Sequence, residues 1–232
     1  MRTFSLTQEI VCGRKVVDKP NANRRVFRAS SIAAALVVFA AMSSAAQSAD
    51  IIWVEEHWQL TIGAPDPESS SPQVSMVMSP LSTLDGDFFV FTLNHHSYPD
   101  FHPGGMQIQH WNSEGVTSHV GDKEGCLNHS SEVITWVQRL SVANGVVTYE
   151  ILSGQSETWG DFGGTGQLHS SFASSLTNLN QYDPGLSVSE SGVNYAGNRV
   201  SSLILTRLRW ATAQGDVQEL QAPIDVDTDL DP

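Results

Sequence analysis

The segment that decides the fold is residues 134–152, which reads ITWVQRLSVANGVVTYEIL. Apolar and polar side chains alternate on both sides of Asn144-Gly145, and this period of two is typical of a β-strand with one buried face. Asn-Gly is also the dipeptide that best tolerates positive φ at both central positions of a two-residue turn. The segment therefore predicts a β-hairpin that turns at Asn144-Gly145.

Similar runs recur along the rest of the chain, separated by Gly, Pro and Asn; they lie at residues 52–62, 74–78, 88–93, 106–111 and 200–211. After the N-terminal region, no stretch shows the apolar spacing of a long amphipathic helix. Eight or nine strands over about 165 residues indicate an all-β protein. We therefore predict one antiparallel β-sandwich or jelly-roll domain over residues 51–212.

The first 46 residues are typical of a secretory signal peptide. Seven bases precede an apolar run at residues 32–42, and small residues follow that run. The apolar run is shorter than the about 20 residues that a membrane-spanning helix needs. We expect cleavage after Ala46, or alternatively after Ala49. The mature protein is then expected outside the cytoplasm, either secreted or in the periplasm or cell envelope, without a membrane span.

Removal of residues 1–46 would make the remaining chain strongly acidic. It takes 7 of the 12 Lys and Arg residues but only 2 of the 25 Asp and Glu residues, which leaves 5 bases, 23 acids and a net charge of −18. Such a chain repels nucleic-acid phosphates and anionic lipid, so neither is an expected partner. Residues 213–232 are polar and end in alternating aspartates, and we predict an acidic, disordered tail.

The best candidate for a binding site is the segment at residues 153–164, SGQSETWGDFGG, which follows the second strand of the hairpin. Its four glycines permit an irregular backbone, and Trp159 offers a flat face on which a sugar ring could stack. Glu157 and Asp161, with Gln155 nearby, could accept sugar hydroxyls, and the two acids could hold a calcium ion. The alternative is that Trp159 and Phe162 fold inward and fill one end of the sandwich.

Other catalytic or metal-binding patterns are weak. Six of the eight histidines lie within residues 95–129, but they form no His-x-His or His-Glu-x-x-His spacing. We therefore leave the metal ligands unassigned; zinc or copper at these histidines is the weaker alternative, and calcium is the candidate cofactor. Glu55 and Glu56 are adjacent and face opposite sides of a strand, so they are not a pair of catalytic carboxylates. Arg207 and Arg209 either bind an acidic ligand or close salt bridges on a sheet face.

The export signal, the strand pattern and the segment GQSETWGDFGG at residues 154–164 together resemble secreted bacterial sandwich proteins of the concanavalin-like lectin and laminin-G-like kind. The resemblance is one of architecture over about residues 51–212, and it transfers no site residue. It implies a glycan- or protein-binding sandwich, often assisted by calcium.

We therefore expect a non-catalytic module that binds carbohydrate or another extracellular polymer, such as a polymer of the cell envelope. Two alternatives remain open from the sequence. One is a polysaccharide-cleaving enzyme, and the other is a structural cell-envelope protein without a small ligand.

Overall fold

The computed structural model describes residues 49–63, 72–95, 104–123, 125–127, 129, 131–195 and 199–226. The predicted signal peptide lies outside the described residues, as do residues 227–232 of the predicted tail. Within the described ranges, no helix has both the length and the apolar character that crossing a membrane requires.

The described residues form twelve strands and one short helix. The strands are β1 (Ile51–Ile62), β2 (Gln73–Met78), β3 (Phe88–His95), β4 (Gly104–Asn112), β5 (Gly115–Asp122), β6 (Val133–Ala143), β7 (Val146–Ser156), β8 (Gly160–Phe162), β9 (His169–Ala173), β10 (Gly192–Tyr195), β11 (Val200–Thr212) and β12 (Val217–Asp225). The helix α1 (Pro184–Glu190) lies between β9 and β10, and the Asp183 side chain caps it by accepting a hydrogen bond from the Gly185 N–H.

The strands pair into two antiparallel sheets. The seven-stranded sheet has the order β12-β11-β1-β6-β7-β8, and β9 pairs with the first half of β7 while β8 pairs with its end. The five-stranded sheet has the order β10-β2-β3-β4-β5. The predicted all-β antiparallel sandwich is therefore confirmed.

The predicted hairpin is formed by β6 and β7. Asn144 has a φ of 51° and Gly145 a φ of 75°, so both turn residues lie in the left-handed region that this dipeptide favours. Ala143 pairs with Val146 directly across the turn. The sequence signal at Asn144-Gly145 thus sets both the turn and the start of the strand pairing.

The hydrophobic core lies between the two sheets. In β1 the even-numbered side chains from Val54 onward, including Trp58 and Leu60, are buried, whereas odd-numbered positions from Trp53 onward face outward. Trp58 stacks on Trp136 of β6 with ring centroids 6.2 Å apart. This alternation gives β1, which lies in the middle of its sheet, one face in the core and one face available for a site.

The predicted disordered tail is wrong for residues 217–225, which form β12. β12 pairs with β11 along the sheet edge, and Ile224, 5% exposed, joins the hydrophobic core. Leu220 is partly buried against the same core. The sequence prediction missed this strand because only a few apolar residues are spaced among polar ones; Pro223 within it is tolerated because β12 is an edge strand.

Truncation after Thr212 should therefore destabilise the domain. Loss of β12 exposes the core surface that Ile224 and Leu220 cover, which we expect to cost about 3 kcal/mol and to lower Tm by about 10 °C. Thermal unfolding followed by circular dichroism measures this effect. A truncation after Val226, which keeps β12, is the matched control and should leave Tm unchanged; equal Tm values for both truncations would contradict a structural role of β12.

Candidate functional site

An open groove of about 560 Å³ lies on the outward face of the seven-stranded sheet. A row of polar side chains crosses its floor, because strand pairing aligns Gln59 with Thr135, Thr135 with Gln155, and Gln155 with Asp161. Directly paired residues point to the same face of a sheet. Neighbouring strands lie about 4.8 Å apart, so the row spans about 14 Å from β1 to β8.

A β-bulge in the hairpin creates this alignment. Close to the turn, Gln138 pairs with Ile151, but the next pair is Val137 with Ser153, so Leu152 is an extra residue in β7. A one-residue shift exchanges the two faces of a strand. Without the bulge, Thr135 would pair with Gly154, and Gln155 would point toward the core instead of the groove.

The groove offers hydrogen-bonding groups that are mostly uncharged. Thr135, Gln155 and Asp161 are exposed, and the half-buried Gln59 continues the row toward β11. Ser153 and Thr206 also line it, although the Thr206 hydroxyl donates a 2.9 Å hydrogen bond to the backbone oxygen of His57. Amide and hydroxyl groups can each donate and accept, so this surface can bind a ligand that presents many hydroxyls.

Two of the four predicted site residues, Gln155 and Asp161, line the groove. They face each other across the β7–β8 pair. At the β8 end of the groove, Lys123 Nζ donates a 2.9 Å hydrogen bond to the backbone oxygen of Asp161 and not to its carboxylate. The structure therefore brings together the two predicted site residues that lie on strands, Gln155 and Asp161.

The structure does not place Trp159 as an exposed stacking platform. Its side chain is 7% exposed, belongs to the core cluster, and donates a 3.2 Å hydrogen bond from Nε1 to the Gly125 backbone oxygen. Phe162 is also buried, and its ring lies where a Cβ atom on Gly154 would stand. The inward-folding alternative is therefore the arrangement found: both aromatic rings close one end of the sandwich.

A buried carboxylate explains why Trp159 turns inward. Glu132 accepts hydrogen bonds from the hydroxyls of Ser156 and Thr158 and, at 2.9 Å, from the Thr158 N–H. These bonds hold the tight turn between β7 and β8. Glu157, in the same turn, is exposed to solvent and is not among the residues that line the groove.

A charge cluster centred on Glu55 borders the groove. Glu55 faces outward, yet its side chain is only 3% exposed because Arg139 and Arg209 cover it from the two neighbouring strands. Burial alone would raise the pKa of Glu55, but the His57 ring and the two guanidinium groups outweigh burial and lower the pKa to about 2. The Glu55 carboxylate is therefore ionised, and each of its two oxygens contacts an arginine side chain.

The cluster extends into a row of alternating charge across five strands. Glu219 of β12 lies 3.4 Å from Arg209, and Glu150 of β7 lies 3.8 Å from Arg139. Arg207 donates to His57 Nδ1 at 2.9 Å and also lies 3.6 Å from Glu219. These arginines close salt bridges on the sheet face, which is the structural alternative considered for Arg207 and Arg209 above.

On the opposite face of β1, the Glu56 side chain lies in the core with no exposed surface. It accepts hydrogen bonds from Trp58 Nε1 at 2.8 Å, from Gln138 Nε2 at 2.7 Å, and from the Tyr182 hydroxyl. Burial raises the pKa of Glu56 even though hydrogen bonds with Ser187 and these three groups act to lower it.

The second end of this buried network is Gln138. Its Oε1 accepts hydrogen bonds from the Tyr149 hydroxyl at 2.9 Å and from Trp136 Nε1 at 3.3 Å. Burial, with the nearby Glu56 charge, raises the pKa of Tyr149 well above its usual value. The donors and acceptors of this network satisfy one another inside the core, so it orders the sandwich and offers no open ligand site.

Within the described ranges, no group of three or more His, Cys, Asp or Glu side chains is arranged to hold a metal ion. Glu157 and Asp161, the predicted calcium ligands, diverge because one lies in the turn and the other on β8 facing the groove. Of the histidines singled out in the sequence, His96 and His102 lie outside the described residues.

Among the groove residues that sequence reasoning missed are His57, Gln59 and Thr135. His57 and Gln59 alternate with buried residues along β1, and Thr135 does so along β6, so the sequence alone could have indicated that all three side chains face outward. What it lacked was the pairing of β1 with β6, which places residue 59 beside residue 135 although 76 positions separate them in the chain. The bulge at Leu152 was equally invisible.

The fold and the groove define an all-β sandwich with a polar face, and comparisons with known proteins add little. No family model matches the chain, and no curated protein matches it. One solved structure, the crystal structure of scytalido-glutamic peptidase with a transition state analog inhibitor, aligns over 75% of this chain and 83% of that chain, at 11% sequence identity and a TM-score of 0.32. A similarity at that TM-score carries no argument about this protein.

Proposed function

We propose that the protein is an extracytoplasmic module whose groove in the seven-stranded sheet binds a neutral carbohydrate, or another hydroxyl-rich extracellular polymer, without catalysing a reaction on it. The observation that carries the proposal is the row Gln59–Thr135–Gln155–Asp161, which presents hydrogen-bonding side chains at regular strand spacing along the groove floor. A polymer lying across the strands would meet one such group at each strand.

The charges around the groove favour an uncharged ligand. Asp161 is the one carboxylate among its described lining residues, and the nearby Arg139 and Arg209 are already paired with Glu55. If the signal sequence is removed as expected, the chain carries a net charge of −18, which would repel an anionic polymer. The predicted export signal and the resemblance to lectin-like sandwiches support an extracellular polymer as the partner.

The same residues argue against polysaccharide cleavage. Glycoside hydrolysis typically needs two carboxyl groups about 5 to 9.5 Å apart, on either side of the scissile bond. The described lining offers Asp161 alone, and the ionised Glu55 beside the groove is held by two arginines. Binding without cleavage therefore accounts for the groove better than catalysis does.

The proposal predicts that the mature chain binds immobilised neutral polysaccharide through the groove. The double variant Gln59→Ala/Gln155→Ala should weaken retention by about 30-fold, because each lost hydrogen bond is worth about 1 kcal/mol. Glu157→Gln, a polar change in the neighbouring turn, is the matched control and should bind like the parent. The measurement is affinity chromatography on a panel of neutral and acidic polysaccharides, with and without a calcium chelator.

Other results would point to the alternatives. Equal retention of the double variant and the parent would remove the groove from consideration. New reducing or unsaturated ends in the eluate would establish the cleaving enzyme. Failure to bind any polysaccharide, together with co-purification with envelope material, would favour the structural protein. Loss of binding in chelator alone would show that a calcium ion contributes.

A further inference from the structure

A hydroxyl, an imidazole and a carboxylate are connected in series at the edge of the five-stranded sheet. The Thr117 hydroxyl lies 2.6 Å from His110 Nδ1, and His110 Nε2 lies 2.8 Å from Asp87 Oδ1. None of the three lines the groove. Because a carboxylate only accepts, Nε2 must carry a hydrogen, and if the ring is neutral, Nδ1 is the acceptor for the Thr117 hydroxyl.

The local fold holds these groups in position. The His110 side chain is 9% exposed, and its ring stacks on Phe172 of β9 with centroids 4.9 Å apart and planes 7° apart. Phe89 contacts the ring as well, with centroids 5.3 Å apart. The imidazole is therefore fixed in the core, while Asp87 and Thr117 reach the solvent.

A β-bulge presents Thr117 to the histidine. Trp111 pairs with Val116 and His110 pairs with Ser118, so Thr117 is the extra residue of β5. Bulges of this kind redirect a side chain, and they recur beside active sites. β5 is also the last strand of its sheet among the described strands.

We propose that Thr117 is a nucleophile, with His110 as its general base and Asp87 as the group that positions His110, and that it accepts an acyl group from small activated esters or thioesters. The Thr117 Oγ1 attacks the acyl carbon while its proton passes to His110 Nδ1. The bond from the acyl carbon to the leaving oxygen or sulfur breaks, and His110 returns the proton to the leaving group. Water, activated by the same histidine, then releases the carboxylic acid and restores Thr117.

The test uses p-nitrophenyl acetate and the mature chain. We expect a burst of nitrophenolate and an acetyl group on Thr117, located by peptide mapping. Thr117→Ala should remove that label and slow the burst by about 100-fold, whereas Thr117→Ser, which keeps the hydroxyl, should retain it. Asp87→Asn should slow acylation by at least about tenfold, since it leaves the histidine less well oriented.

Ser118→Ala is the matched control, because Ser118 is the exposed hydroxyl residue next along β5. It should acylate at the parental rate. Thr117 is exposed, so its variants are expected to fold, and thermal unfolding checks this. Acetylation confined to amino groups, or an equal burst in Thr117→Ala and the parent, would overturn the proposal. Because the groove variants leave these residues intact, they should acylate normally whether or not they bind polysaccharide.

Discussion

Glu56→Leu should lower the free energy of unfolding by about 4 kcal/mol or more. The substitution leaves the Trp58 N–H, the Tyr182 hydroxyl and the Gln138 amide without their shared acceptor in a core that excludes water. Each buried donor left unpaired costs about 1 to 3 kcal/mol. Chemical denaturation of the parent and the variant, read by tryptophan fluorescence, measures the difference.

Two further variants separate the hydrogen-bond explanation from a general effect on β1. Glu56→Gln keeps one acceptor oxygen but turns an NH₂ group toward donors, so its stability should fall between the parent and Glu56→Leu. Thr61→Val, on the outward face of the same strand, should change stability by less than about 0.5 kcal/mol. A leucine variant as stable as the parent would show that a well-packed apolar side chain replaces the network without cost.

The protonation of Glu56 adds a dependence on pH. Because its pKa is raised in the folded state, the folded protein holds this proton more tightly than the unfolded chain. The resulting stability is complete below the unfolded pKa of Glu56 and is lost as the pH rises through the folded pKa. Glu56→Gln, which does not titrate, should lack this decline.

The parts of the fold that the sequence predicts are those set by neighbouring residues. The β6–β7 hairpin follows from alternation and from the left-handed φ preference of Asn144-Gly145, both local properties. The outward face of β1 follows from the alternation of Trp58 and Leu60 with Gln59. Strand β12 was missed because its pairing with β11, and not its own composition, stabilises it.

The candidate site depends on properties that are not local. Trp159 has the sequence surroundings of an exposed loop residue, but Glu132, 27 positions earlier, anchors the turn that directs it inward. Gln155 reaches the groove only because the bulge at Leu152 shifts the strand register. Contacts between distant residues and single-residue bulges leave little trace in one sequence, so the sequence did not indicate the inward orientation of Trp159 within the segment at residues 153–164.

Glu55→Gln should destabilise the protein by about 2 kcal/mol at pH 7. The pKa of Glu55 falls from its usual 4.5 to about 2, and each unit corresponds to about 1.4 kcal/mol before allowance for solvent screening at the partly exposed arginines. The amide also leaves Arg139 and Arg209 facing each other without an anion between them. Denaturant unfolding at pH 7 and at lower pH values measures the loss.

The sign of the pH dependence is what distinguishes this carboxylate from Glu56. A folded pKa below the unfolded one stabilises the protein at pH values above about 4.5, and that contribution disappears as the pH falls toward about 2. The parent should therefore lose stability on acidification over this range, and Glu55→Gln should lose less, so that the two converge near pH 2. A gap between parent and variant that stays constant from pH 7 to pH 2 would show that the glutamate acts through packing alone. The charge row and the buried network lie on opposite faces of one strand, so Glu55→Gln and Glu56→Gln should remove opposite pH dependences from the same sheet.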